Sequence, residues 1–278
     1  MFYLLLAILS STMVSIVMKL STNKISGNIS MLAMNYMMCL CIAGINTGVG
    51  TLFPVVKELP LTLFLGTIHG ILYLTSFMLL QYNIKKNGVV LSATFMKLGL
   101  LVPMVVSIVL FKEIPSFIQV IGFVIAILGI LLINQEEHTS SMMINTSLVL
   151  LLVLGGAGDA MSKIYEEFGS AELSAQFLFY TFLVALLLCV GLSIFKKEKL
   201  GKNEVIYGLL IGIPNYFSAH FLLLSLKYVP AVIAYPTYSV ATLLVVTLAG
   251  VGFFKERLSQ KQWGALGIIV IALALLNL

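Results

Sequence analysis

Lys97 stands in the middle of an apolar run, flanked by Phe95, Met96 and Leu98. A lipid-facing charge at that depth costs at least about 2.5 kcal/mol, so the side chain is expected to face other helices. Thr94 lies one turn earlier on the same helical face. A cation held there suits a carboxylate or phosphate on a small molecule; its competing role is a structural ion pair with an acid on another helix. Asp159, in the stretch Gly155-Gly156-Ala157-Gly158-Asp159, is the acid deepest inside an apolar run. A carboxylate in a cavity can carry a coupling proton or bind an ammonium group. Its competing role is to neutralise Lys97 or Lys163, the latter four residues on.

His69 and His220 lie in two further apolar runs, one turn before Tyr73 and one turn after Tyr216 respectively. A histidine in such a place can relay protons or serve as a hydrogen-bonded packing residue. Tyr73 and Tyr216 present rings that can cover an apolar part of a ligand, with a hydroxyl to orient it. Asn35 with Tyr36, and Tyr235 with Tyr238 one turn apart, extend the set of candidate binding residues. Pro236, between the last two, lacks a backbone donor and so frees a carbonyl. No His-Glu-x-x-His run, Gly-x-Ser-x-Gly turn or glycine-rich phosphate loop is present, so hydrolase and nucleotide-driven pump chemistry have no support. No enzyme activity, cofactor or metal site is expected.

These residues sit in a chain that repeats itself. Phe111-Lys112-Glu113 returns as Phe254-Lys255-Glu256, 143 residues on, and the same ungapped offset matches Tyr73 with Tyr216, Thr94 with Thr237, Ser116 with Ser259, Gln119 with Gln262 and Asn134 with Asn277. One more residue of offset matches Lys19 with Lys163 and Tyr36 with Tyr180. The expected division is a first repeat over 1–135 and a second over 144–278. Lys97 is matched by the neutral Val240 and Asp159 by Ser15, so neither charge is a property of the repeat. The Lys112-Glu113 and Lys255-Glu256-Arg257 turns are candidate hairpin locks or gate parts; as exposed pairs they would add little.

Sixty per cent of the residues are apolar and ten per cent charged, which excludes a water-soluble domain. Cys39, Cys41 and Cys189 lie inside apolar runs and read as packing residues. The lysines behind the net charge of +5 sit in short breaks between runs, where they bear on topology and not on nucleic acid. Ten runs of about 20 residues, the length that crosses a bilayer, centre near Leu9, Cys41, Ile71, Gly99, Val124, Gly155, Ala185, Gly212, Ala241 and Ile268. The first is expected to be a retained span and not a cleaved signal. The predicted fold is therefore an all-α integral membrane protein of ten transmembrane helices. Five spans per half is an odd number, so the two five-helix repeats are inverted. Gly44 with Gly48, Gly66 with Gly70 and Gly208 with Gly212 supply small residues for close helix approach.

Ten helices in two fives, with the repeated Phe-Lys-Glu step followed by Ser and Gln, resemble the drug/metabolite transporter superfamily and within it the EamA-like family. In place of the tryptophan-glycine step of many relatives, the first span carries Ser10, Ser11 and Thr12. The resemblance implies a multi-pass protein of the cell (inner) membrane, with both termini in the cytoplasm. Counting basic residues alone puts the termini outside. It also implies a secondary transporter that exports a small polar metabolite, an amino acid or related compound, with protons as candidate coupling ion. The alternatives are a carrier for lipophilic cations and a lipid-carrier flippase. Expected partners are a small-molecule substrate and the bilayer; the sequence leaves the oligomeric state open.

Overall fold

A computed structural model of the chain describes residues 1–21, 24–87, 95–96, 98–133, 146–254 and 259–278. Its α-helices are α1 (Phe2–Ser21), α2 (Asn28–Thr47), α3 (Leu59–Asn87), α4 (Leu101–Phe111), α5 (Phe117–Ile133), α6 (Thr146–Phe168), α7 (Ser174–Phe195), α8 (Lys202–Leu226), α9 (Ala231–Phe254) and α10 (Gln260–Leu276). Among the described residues there is no strand. This is what a chain in hydrocarbon must do, because only a helix satisfies every backbone donor and acceptor within its own segment. Seven helices, α1, α2, α3 and α6 to α9, are long and apolar enough to cross a membrane; α4, α5 and α10 are shorter and apolar.

The chain divides into two compact units, Met1–Leu74 with Ile164–Ser225 and Thr75–Lys163 with Leu226–Leu278. Each draws on both halves of the sequence. In the first, α2 packs along α7, and glycines set the spacing. A Cβ added at Gly212 of α8 would lie 2.6 Å from the carbonyl oxygen of Asn35 in α2, and one at Gly70 of α3 would lie 2.6 Å from that of Thr181 in α7. Gly66 and Gly208 meet the same two partner helices, so two of the expected small-residue pairs bring backbones together. The third does not, because Gly48, at φ 78°, ends α2 in a conformation that favours glycine.

The start of α2 is held by two acids of the second half. Glu198 accepts hydrogen bonds from the amides of Ile29 and Ser30 at 2.9 and 3.0 Å. Glu204 accepts from those of Ser26 and Gly27 at 2.7 and 3.2 Å. Carboxylates there satisfy donors with no partner in the helix and complement its dipole.

In the second unit α5 packs along α10 around Ala126, Ile130, Ala265, Ile269 and Ala272, all buried. Ser116 and Gln119 form a reciprocal capping box at the start of α5, each side chain bonding the other's backbone amide at 3.2 and 2.9 Å. The expected span centred on Gly99 is interrupted: Gly99 and Leu100 form a turn and α4 begins at Leu101. Pro103 has no amide hydrogen to bond the Gly99 carbonyl, so the amide of Val102 takes it at 3.0 Å. Gly99 also abuts Gly156 of α6, where no Cβ would fit.

Candidate functional site

Six of the sequence candidates gather in the first unit. Tyr73 of α3 donates its hydroxyl proton to Asn215 Oδ1 of α8 at 3.0 Å, and Asn215 Nδ2 donates to Asn35 Oδ1 of α2 at 3.1 Å. One chain of neutral hydrogen bonds thus joins three helices. Nearby, Asn46 Nδ2 of α2 donates to the hydroxyl of Tyr216 at 2.9 Å. Rings fill the space between. Tyr36 meets Tyr73 edge-on at 6.2 Å, Phe182 lies 6.1 Å from Tyr216, and His220 stacks on Tyr216 at 5.6 Å.

His69 stacks on Phe177 at 5.3 Å, and its Nδ1 lies 3.3 Å from the hydroxyl of Thr181. Thr181 gives its own proton to the Phe177 carbonyl at 2.8 Å. With its proton there, the Thr181 hydroxyl can accept from the His69 tautomer that carries its proton on Nδ1. Tyr36 is fully buried, and its hydroxyl finds no hydrogen-bond partner among the described residues. In an apolar interior such an atom costs about 1–3 kcal/mol until something bonds it.

The helical segments that carry this network, 28–47, 59–74, 174–195 and 205–225, contain no Asp, Glu, Lys or Arg. What they offer a ligand is amides, phenols, a hydroxyl and ring faces. Asn46, Asn215, Thr181 and Phe182 were not among the sequence candidates. Asn215 had a visible signal: it is a polar residue deep in a span, between Pro214 and Tyr216.

The other candidates lie in the second unit. Tyr235 of α9 donates to the backbone carbonyl of Asp159 in α6 at 2.6 Å, so it holds that helix by its backbone. Thr237 accepts from Asn277 Nδ2 at 3.3 Å. Asp159 and Tyr238 are half-buried. Lys112, in a left-handed cap, is exposed. Its neighbour Glu113 turns inward, pairing with Lys163 Nζ at 2.9 Å and accepting the amide of Val232 at 3.1 Å. Lys97, Thr94, Lys255, Glu256 and Arg257 lie outside the described residues. Among the described residues no cluster of His, Cys, Asp and Glu is arranged to hold a metal ion.

Long apolar helices with polar residues buried between them define a multi-pass membrane protein. The model of the EamA-like transporter family matches residues 1–135 and 143–278, and the chain belongs to that family, within the drug/metabolite transporter superfamily. A Haemophilus influenzae protein of uncharacterized function is 26% identical over 280 residues, 96% of this chain and 93% of its own. A second relative is the probable 4-amino-4-deoxy-L-arabinose-phosphoundecaprenol flippase subunit ArnE of Hamiltonella defensa. It is 36% identical over 84 residues, 29% of this chain and 72% of its own. One crystal structure superimposes with a TM-score of 0.79 at 15% identity, over 99% of this chain and 98% of that one, a likeness of fold.

Proposed function

We propose that this protein is a secondary carrier that exports a small polar metabolite, an amino acid or related compound, by alternating access between two inverted five-helix repeats. The observation that carries this reading is the neutral chain Tyr73–Asn215–Asn35 beside the unpartnered Tyr36 hydroxyl. It sets hydrogen-bonding groups deep among spans at a cost justified where a ligand uses them. The packing of α2 with α7 and of α5 with α10 supports the repeat, since each pair joins equivalent helices of the two halves.

In this reading Tyr73, Tyr216, Asn35 and Tyr36 shape the ligand site of the first unit, and Thr94, Thr237, Tyr235 and Tyr238 are further substrate-binding candidates. Lys97 holds an acidic group on the substrate. Asp159 is the coupling or ammonium-binding carboxylate, His69 and His220 are proton relays, and protons are the coupling ion. The test is counterflow in proteoliposomes with a labelled amino-acid pool, a phosphorylated-metabolite pool and a lipophilic cation, comparing wild type with Lys97→Met. Uptake of an amino-acid or phosphorylated pool that disappears in Lys97→Met is the expected result. Cation uptake indifferent to Lys97 would move the reading to cation efflux.

The likeness to the ArnE subunit favours a second reading, a flippase for a polyprenyl-phosphate-linked sugar. Amides and aromatic faces without formal charge also suit a sugar ring. Movement of such a lipid across vesicles, without counterflow of any soluble pool, would select it.

A further inference from the structure

Glu113 divides its carboxylate between two helices. Oε1 pairs with Lys163 of α6 at 2.9 Å, and Oε2 takes the amide of Val232 in the first turn of α9 at 3.1 Å. The residue itself follows the left-handed cap of α4, where its own amide bonds the Ser107 carbonyl at 3.2 Å. Three helices of the second unit therefore meet at one side chain. The pair is closely shielded: the Lys163 side chain is 4% exposed and that of Glu113 16%, and Lys163 Nζ sits 5.4 Å from the centre of the Phe111 ring. The carboxylate, on the amide of Val232, complements the positive end of α9.

Its place in the chain is as informative as its geometry. The boundary between the compact units falls between Lys163 and Ile164 within α6, and between Ser225 and Leu226 shortly before α9. The ion pair ties the end of α4 to the last residue of the second unit in α6 and, within that unit, to the first turn of α9. The sequence also repeats both charges, Lys19 matching Lys163 and Glu256 matching Glu113. Lys97 and Asp159 have no such counterpart.

We infer that Glu113 and Lys163 form a releasable clasp, whose opening frees α6 and α9 from the end of α4 and is a step of the transport cycle. This rests on the alternating-access reading. The clasp is closed in this structure. A single ion pair suits the task because it holds firmly while shielded and loses most of its strength once water enters.

The test uses the full chain in nanodiscs, with Cys41→Ala to remove the exposed native thiol and Ser162→Cys, at a buried position beside Lys163, as reporter. The rate of reaction with a water-soluble maleimide is compared between this background and the double variant Glu113→Gln with Lys163→Met. That variant removes both charges of the pair together, so neither is left facing the other's empty place. A releasable clasp predicts a rise of about tenfold or more. Lys163→Arg, which keeps the charge, should stay within about threefold of the background. A reporter at Ala185→Cys, buried in the first unit and given no part in the site, should not change. An unchanged rate at position 162 would overturn the proposal, and so would an equal rise at positions 162 and 185, which would mean general loosening. The readout needs no substrate, so a static clasp would leave the transport reading standing, and absent counterflow would leave the clasp result standing.

Discussion

In the first unit Tyr73, Asn215 and Asn35 hand hydrogen bonds from α3 to α8 to α2 without a formal charge. In the second, Glu113 and Lys163 join α4, α6 and α9 through one ion pair. Both devices bury polar atoms among spans, but they differ in what can replace them. A ligand's own donors and acceptors can substitute for a neutral hydrogen bond one at a time, at about 0.6 kcal/mol each between membrane helices. A buried ion pair has no such partial states, because removing one partner strands the other. The neutral network is suited to receiving a solute and the ionic one to holding helices.

The comparison breaks first at the clasp. Glu113→Ala removes the ion pair to the buried Lys163 and the cap on the Val232 amide and should cost about 3–5 kcal/mol, read as a lower melting temperature in detergent. Adding Lys163→Met should recover most of that loss; failure to recover would mean that the Val232 amide cap, and not the charge pair, carries the stability.

In the first unit, Asn215→Leu removes the centre of the chain and leaves Tyr73 and Asn35 each short of a partner. The expected cost is about 1–3 kcal/mol, with transport falling by more than the loss of folded protein explains. A fall in proportion to folded protein would make the network purely structural. Gly212→Val should cost about 1–3 kcal/mol in the same melt, since its side chain would press on the Asn35 carbonyl. A neutral result would mean that α2 and α8 separate more readily than their spacing implies. Lys112→Ala should be the mildest change, within about 0.5 kcal/mol, although the residue adjoins Glu113. An effect as large as that of Glu113→Ala would give the turn itself the role assigned here to the carboxylate.

The sequence made the class of fold plain because hydrocarbon allows few alternatives: apolar runs separated by short polar breaks become helices, and the seven long ones meet that description. The interruption at Gly99 was harder to see, since it depends on Pro103 and on the approach to Gly156. Tyr73, Asn35, Tyr36 and Tyr216 stood out as polar residues at depth, and the structure gathers them in one cluster, Tyr73 and Asn35 through a hydrogen-bond chain and Tyr36 and Tyr216 through ring contacts. Asn215 was equally visible and was passed over, whereas Thr181 and Phe182 become informative only when α7 is set beside α2 and α3. The ion pair was legible by half. The repeated Phe-Lys-Glu turn marked Glu113, but its partner, 50 residues on in Lys163, is a matter of packing that spacing does not encode.

The most direct test of the central claim is counterflow of a labelled amino-acid pool into proteoliposomes, with Asn215→Leu beside wild type at matched amounts of folded protein. The account predicts uptake by wild type and a loss of at least about tenfold in the variant, the scale of an interaction worth 1.4 kcal/mol. Equal uptake by the two proteins would contradict the claim that the neutral network receives the solute.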